Sequence, residues 1–590
     1  MSLRSTRARQ GVLLASVAAS VLLAGPAFAA SVTVANGETH TAPDNIGGTD
    51  VITVDLGGTF ANPGGRAVFW NADATGGGVV INNAGTLGTT ANSPVAGAPG
   101  VTFDAAPGIA SSPTVTGLIT INNSGLVGSQ FGPGIVFGGS PGSAVITNLS
   151  GGQIAGGGGI NVGGTYIDGG GDIAIVMPNG PSTLSNFGRI DGDVLFGSDA
   201  DTLNVSDTTI FNGRVDGGGG LNTLNLGGAG GQLRGETEAP FSGAPDGFLG
   251  WDNFQTLNVN SGLWTLVGKG SYDDVTVASG ATLYICQSAS CISAQNVMVD
   301  DAGLSGATGN TVDIINNGTI ISDHDNAKIK FDPNDPSPET LNFTGAGSIV
   351  FKGSGTTYVP AVDSLVHMTG TVTVEGGTFI LATTLGGNVV INPGATLQIG
   401  SGGNLTNVSG VVVDNGTVGD VLGNIADNGV LIFNRADDYT FAGGLSGDGS
   451  LVKMGPGLLT LSGQYSYTGT TSVLGGSINV LGLLPSNTTV VVDSGVLNLG
   501  AGDQTVGGLT GTGGSVNVDS GQLTIQQDTS TTYAGAITGG GSVALTGSGV
   551  LTLAGANTYS GSTTVTSGTL NVTAPCRPPP ILRSMAGWSR

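Results

Sequence analysis

The chain has 590 residues, of which 109 are glycine and only 9% are charged, with a formal net charge of −24 and a mean hydropathy of +0.23. Glycine at this level without an every-third spacing excludes collagen, and the recurring Val, Ile and Leu exclude a disordered chain. A polyanion of this kind repels nucleic-acid phosphates and anionic membranes, which leaves neutral, cationic or metal-bridged partners.

Residues 1–29 read as an export signal. Arg4, Arg7 and Arg9 precede an apolar run, Gly11 to Ala24, that is too short to span a bilayer comfortably. Ala27-Phe28-Ala29 has the small-x-small pattern of a processing site, with cleavage expected after Ala29. No later segment approaches a membrane helix. Without these arginines and Arg577, Arg583 and Arg590 of the tail, 10 basic residues face all 40 acidic ones, so the body carries −30.

From 30 to 231 one phrase keeps returning: Ile81-Asn82-Asn83-Ala84-Gly85, Ile121-Asn122-Asn123-Ser124-Gly125, Ile146-Thr147-Asn148, Leu184-Ser185-Asn186-Phe187-Gly188 and, later, Ile315-Asn316-Asn317-Gly318. Each reads as a strand end followed by a turn that Asn and Gly tolerate. Spacings of 40, 25 and 38 between the last asparagines fit one or two solenoid turns of about 20 residues, and stacking would build an asparagine ladder inside the coil. Within this region, Gly217-Gly218-Gly219-Gly220-Leu221-Asn222 resembles the repeats-in-toxin nonapeptide, whose Asp and turn carbonyls hold calcium. Asn222 replaces the Asp, which leaves Asp199, Asp201 and Asp216 as weak calcium candidates against a plain solvated turn.

The middle, 232–440, keeps the strand rhythm, as in Asn253 to Val259 and Gly262 to Gly268. Cys286 and Cys291 form a local pair that closes a small disulfide loop in an exported protein, or remains as two buried thiols. Ser322 to Glu339 breaks the pattern with three prolines and five acids, so 322–339 is expected to protrude as a loop.

In 441–573 a forty-residue unit occurs twice without a gap, Phe441 to Val480 and Tyr533 to Val572, at an offset of 92. Leu459-Thr460-Leu461 matches Leu551-Thr552-Leu553, and the period of two sends the leucines to one face and the threonine to the other. Gly447, Gly449, Gly455, Gly457, Gly463 and Gly469 match Gly539, Gly541, Gly547, Gly549, Gly555 and Gly561, where each short strand must turn. Such a strand pair cannot bury its apolar face alone, but stacked copies can, which makes the body an all-β solenoid.

This unit closely resembles the passenger-associated transport repeat of bacterial autotransporters (type V secretion), down to Tyr467-x-Gly469, Gly476-x-x-Asn479-Val480 and Gly555-Ala556-Asn557-Thr558-Tyr559-Ser560-Gly561. The resemblance implies one elongated, single-stranded, right-handed parallel β-helix behind a signal peptide, exported and displayed at the cell surface or outer membrane. It also implies a C-terminal outer-membrane β-barrel translocator. Residues 574–590 change composition abruptly, with three arginines, four prolines, an odd Cys576 and no acid, and are expected to be an aberrant, disordered tail. A frame change or premature end is expected to account for them, with a genuine short tail as the alternative, and a chain without the barrel is expected to stall in the periplasm.

Catalytic patterns are weak. Gly138-Gly139-Ser140-Pro141-Gly142 matches a nucleophile elbow, but glycine-rich sequence yields such matches by chance and no helix follows. His40, His324 and His367 lack zinc spacing, and Asp363-Ser364 lacks the preceding glycine of the Gly-Asp-Ser signature carried by passenger-borne hydrolases. The expected function is therefore that of a non-catalytic surface passenger in adhesion or aggregation, facing host or neighbouring-cell surfaces, glycans included, with no nucleic acid, no membrane span of its own and no cofactor beyond candidate calcium. Two alternatives stand. One is a β-helical polysaccharide lyase or hydrolase using Asp323, Asp325, Asp332, Asp335, Lys328 and Lys330; the other is a calcium-stabilised structural solenoid.

Overall fold

The computed structural model describes residues 31–40, 44–46, 51–61, 68–70, 79–88, 109–111, 117–128, 133–137, 142–156, 161–162, 165–166, 173–234, 250–267, 269–286, 303–305, 311–323, 340–354, 356–359, 364–401, 405–406, 412–414, 419–500, 502–574 and 582–584. These residues form short strands and turns, with no helix among them. The strands coil so that each pairs in parallel with the equivalent strand one rung on. The longest sheet holds 15 strands from Ser31–Val34 to Asp420–Val421, about 65 Å of stacking at roughly 4.8 Å per strand. A second side begins as a seven-stranded sheet from Thr39–His40 and continues as a nine-stranded sheet from Gly230–Arg234 to Leu445–Ser446. Eight-stranded sheets make up much of the third side, one running from Asp44–Ile46 to Gly250–Asp252 and one from Thr356–Val359 to Gly508–Thr510. The architecture is that of a parallel β-helix. Among the described residues its exceptions are two antiparallel pairs, Asn161–Val162 with Thr165–Tyr166 and Leu405–Thr406 with Val412–Asp414.

Alternation in the sequence is what fills the centre. In Thr202–Val205, Thr223–Leu226 and Thr256–Val259 the second and fourth residues are buried and the first and third face outward. Register stacks like on like, so an aliphatic column runs from Ile52 through Ile81, Ile121, Ile146 and Leu184 to Leu203, Leu224, Leu257, Val275 and Ile314. Parallel stacking removes these side chains from water on every rung but the end ones.

The recurrent asparagines form the expected ladder: Asn83 Nδ2 donates to Asn123 Oδ1, Asn123 to Asn148 and Asn148 to Asn186, each at 2.8 Å. The rung count differs from the sequence expectation. The strands ending at Asn83, Asn123, Asn148 and Asn186 are direct neighbours, so spacings of 40, 25 and 38 residues are each a single rung. The surplus residues are accommodated between strands, and the ladder holds register across them.

Leu459, Leu461, Leu551 and Leu553 are all buried, with Thr460 and Thr552 facing outward. The glycines of the repeat serve two purposes. Gly447 and Gly539 adopt φ of +106° and +104°, as turning glycines do. Gly463 and Gly555 are required by proximity instead, because a Cβ there would lie 2.1 Å from the Gly443 carbonyl oxygen and 1.9 Å from that of Gly535. The two copies also occupy different sides of the coil. Leu445–Ser446 belongs to the nine-stranded sheet, whereas its counterpart in the second copy, Ala536–Thr538, belongs to the six-stranded sheet that holds Leu458–Leu461.

The C-terminal end departs from the rungs before it. Ile478 and Val480 are fully buried, but their counterparts Leu570 and Val572 are half-buried and exposed, and among the described residues the strand Thr569–Val572 pairs on one side only. The tail is not wholly without order: Leu582–Ser584 pairs in parallel with Thr563–Val565, where the open edge of a sheet offers free N–H and C=O groups. The export signal, Cys291, the side chain of Cys286 and residues 324–339 lie outside the described residues.

Candidate functional site

The calcium candidates sit on consecutive rungs, since Leu195 pairs with Asp216 and the turn ending at Asp201 stacks beneath the one ending at Asn222. Asn222 Nδ2 donates to the carbonyl oxygens of Gly217 (2.8 Å), Gly219 (2.9 Å) and Asn253 (2.9 Å). The amide thus occupies the turn carbonyls that would otherwise face an ion. Asp216 is held by Arg214 (3.2 Å) and by the Asn253 side chain (2.6 Å), and Asp199 is exposed. Asp201 is buried: its Oδ1 accepts the Ser182 N–H at 2.6 Å, its Oδ2 has no partner, and burial pushes its pKa up to about 6. The three aspartates do not converge, and no group of three or more His, Cys, Asp or Glu able to hold a metal occurs among the described residues.

What the turn builds instead is a column of side-chain caps. Ser182 Oγ accepts from Ala144 N–H (3.0 Å), Asp201 from Ser182, Asn222 from Asp201 (2.8 Å) and Gln255 from Asn222 (2.6 Å). Each cap satisfies a backbone donor that the corner would otherwise bury unpaired.

The enzymatic candidates lie almost wholly outside the described residues. Of the acidic loop only Ser322 and Asp323 are described, as the end of the strand Thr319–Asp323, with the Asp323 side chain outside the described residues along with Asp325, Lys328, Lys330, Asp332 and Asp335. Ser364 opens the strand Ser364–Met368, in which His367 is exposed, and Asp363 is not described.

A feature the sequence reading passed over is the outer face of the 15-stranded sheet. Register aligns Thr183, Thr202, Thr223 and Thr256 in one outward column and Ser185, Asn204, Asn225 and Asn258 in the next. Asn204 Nδ2 donates to Ser185 Oγ (2.9 Å), Asn225 to Asn204 (2.8 Å) and Asn258 to Asn225 (2.8 Å). The ladder uses one N–H and one lone pair of each inner amide and leaves the others free to face outward. Over these four rungs the result is an uncharged polar face on a strongly acidic body, bordered in the threonine column by exposed Asp274 and Asp313 on the next two rungs. Its signal was present in the sequence as the phrase Thr-Leu-Asn-Val/Leu at 202, 223 and 256.

In the C-terminal region the interior takes on polar groups. Lys453 is fully buried between Phe433 and Val473, and its Nζ donates to the carbonyls of Met454 and Gly455, the latter at 2.9 Å. Burial lowers its pKa to about 8. Tyr467 and Thr471 share a 2.5 Å hydrogen bond, and Tyr559 and Thr563 share another of 2.5 Å at the matching place in the second copy. These segments match the Passenger-associated-transport-repeat family over residues 451–480 and 544–572. The chain carries passenger-associated transport repeats.

A second similarity agrees with that of the transport repeats. Over 265 residues, 42% of this chain, the sequence is 30% identical to the Adhesin BmaC autotransporter of Brucella suis biovar 1 (strain 1330). The aligned part covers 7% of that relative's length. No solved structure matches. Transport repeats and relative together are consistent with an autotransporter passenger.

Proposed function

We propose that this chain is a non-catalytic surface passenger that makes adhesive contact with neighbouring cells or other surfaces. The observation that carries the reading is the conjunction of two transport repeats with similarity to an autotransporter adhesin. The stacked body supports it by presenting the Thr/Asn face over consecutive rungs, where contact would repeat at the strand spacing of about 4.8 Å. In this reading residues 1–29 are removed after Ala29, an outer-membrane β-barrel translocator completes the export route, and the passenger is displayed outside the cell.

The test is display of the chain, fused to a heterologous barrel, on cells that otherwise neither clump nor attach. Wild-type display is expected to increase aggregation or attachment, and Thr223→Lys, which places a charge in the middle of the polar face, to reduce it at unchanged surface level. No gain in either assay would overturn the adhesive reading. Turnover of an acidic polysaccharide that vanishes in Asp325→Ala or Lys328→Ala would replace it with the enzymatic one.

A further inference from the structure

The turn at Asp427 has the geometry of the asparagine turns but not their chemistry. Gly429 N–H donates to Asp427 Oδ1 at 2.9 Å, as Gly125 N–H donates to Asn123 (3.3 Å), Gly188 to Asn186 (3.1 Å) and Gly318 to Asn316 (3.2 Å). In the asparagine turns the second side-chain atom is a donor that reaches a carbonyl of the next rung: Asn83 to Leu126 (3.0 Å), Asn123 to Gln153 (3.1 Å) and Asn316 to Ser348 (3.0 Å). At Asp427 the corresponding atom is Oδ2, fully buried and without a hydrogen-bond partner. The register of Val430 with Ser450 makes the Ser450 carbonyl the equivalent acceptor.

The carboxyl also lies beneath the start of the first transport repeat. A Cβ on Gly449 would meet Asp427 Oδ1 at 2.2 Å and Oδ2 at 2.6 Å, so the rung above seats on the carboxyl with only a glycine between them. In the second copy the place below Gly541 is taken by Val518, whose Cγ1 would lie 2.5 Å from such a Cβ. The same slot therefore holds an apolar side chain in one copy and a titratable one in the other.

We propose that Asp427 makes the seat of the first transport repeat proton-dependent. Protonated, Asp427 supplies the O–H donor that asparagine supplies in the other turns. Ionised, it seals an unpaired charge under Gly449. Burial pushes the carboxyl up to about 6, with the Gly429 and Leu431 N–H groups acting in the opposite sense. The titratable groups around it do not offset this. On the rung above, Asp448 is exposed and accepts from Thr468 (2.9 Å), and the next rung brings buried Tyr467. Below, Glu375 is exposed and paired with Lys352 at 3.3 Å. Because the folded pKa lies above the usual value of 3.8, the contribution is fully favourable below about pH 4 and is lost as the pH rises through 6.

The experiment compares the full chain with Asp427→Asn and Asp427→Val by hydrogen exchange of the 447–461 backbone amides, corrected for intrinsic rate, together with denaturant midpoints from pH 5 to 7.5. Protection in the wild type is expected to fall roughly tenfold across this range relative to Asp427→Asn, whose own profile carries only the chain's general charge dependence. At pH 7.5 the asparagine variant is expected to be the better protected. Parallel pH profiles for wild type and Asp427→Asn, or weaker protection in the variant at pH 7.5, would overturn the proposal. Should Asp427→Val fail to fold, the asparagine comparison decides alone.

Discussion

The rungs between Asn83 and Asn186 and the rungs of the transport repeats stack the same kind of strand, yet they fix register by different means. The N-terminal rungs differ in length by up to 15 residues, whereas register partners across 441–573 lie 19 to 22 residues apart. An apolar column is nondirectional and fixes only which residues point inward, so register in the repeats depends on constant rung length. An amide ladder is directional, and it holds Asn123 opposite Asn83 whatever length of chain lies between them. The amide-to-amide ladder therefore coincides with irregular spacing, whereas the buried amides of the regular region, Gln504, Gln527 and Asn557, bond backbone groups and not one another.

The comparison is broken most severely by Leu551→Asp, which buries a charge in the apolar column of the second copy. A loss of about 4 kcal/mol or more is expected, against less than about 1 kcal/mol for Thr552→Asp on the outer face, read from denaturant midpoints. Gly555→Ala comes next. Its Cβ would have to be accommodated against the Gly535 carbonyl oxygen, 1.9 Å away, and about 3 kcal/mol is expected, with loss of protection confined to adjoining rungs. Asn123→Leu tests the other region. It removes the acceptor of Asn83 Nδ2 and the donor to Asn148 Oδ1, at about 1–3 kcal/mol for each buried group left unpaired. Hydrogen exchange should then rise in 79–88 and 143–156 while the transport repeats stay protected. The smallest effect belongs to Lys453→Met. With its folded pKa lowered to about 8, Lys453 binds fewer protons folded than unfolded between pH 8 and its ordinary value of 10.5. The wild type should therefore gain stability as the pH rises through that window, and the methionine variant should not.

Much of this was legible in the sequence because the information was local. Period-two alternation gave the inward leucines, and the repeated Asn-x-Gly phrase pointed to the amide ladder. Non-local information was harder to read. Nothing in a 40-residue spacing says whether it is one rung or two, because the length of an insertion carries no register. The glycine-rich turn at 217–220 only resembles an ion loop in sequence, and it takes the structure to see that Asn222 spends its own amide on the turn carbonyls. The matching glycines looked like turning residues, yet Gly463 and Gly555 are glycine because another backbone lies against them. Asp427 gave no sign of its burial, since its turn, Asp-Asn-Gly, reads as an exposed corner.

The assignment of the two repeat copies to different sides of the coil bears on how such a body grows. If whole circuits were the unit of duplication, equivalent segments would return to the same side. The 92-residue displacement instead carries Leu445–Ser446 to the side that held Leu458–Leu461, a step of one side around the axis. One stretch of sequence thus builds either side equally well, because every side asks the same of it: two inward apolar residues, two outward polar ones and a glycine corner. The three sides are chemically interchangeable, and a lineage of such proteins is free to lengthen by a single side and corner at a time, with each insertion rotating everything beyond it to a new outward face.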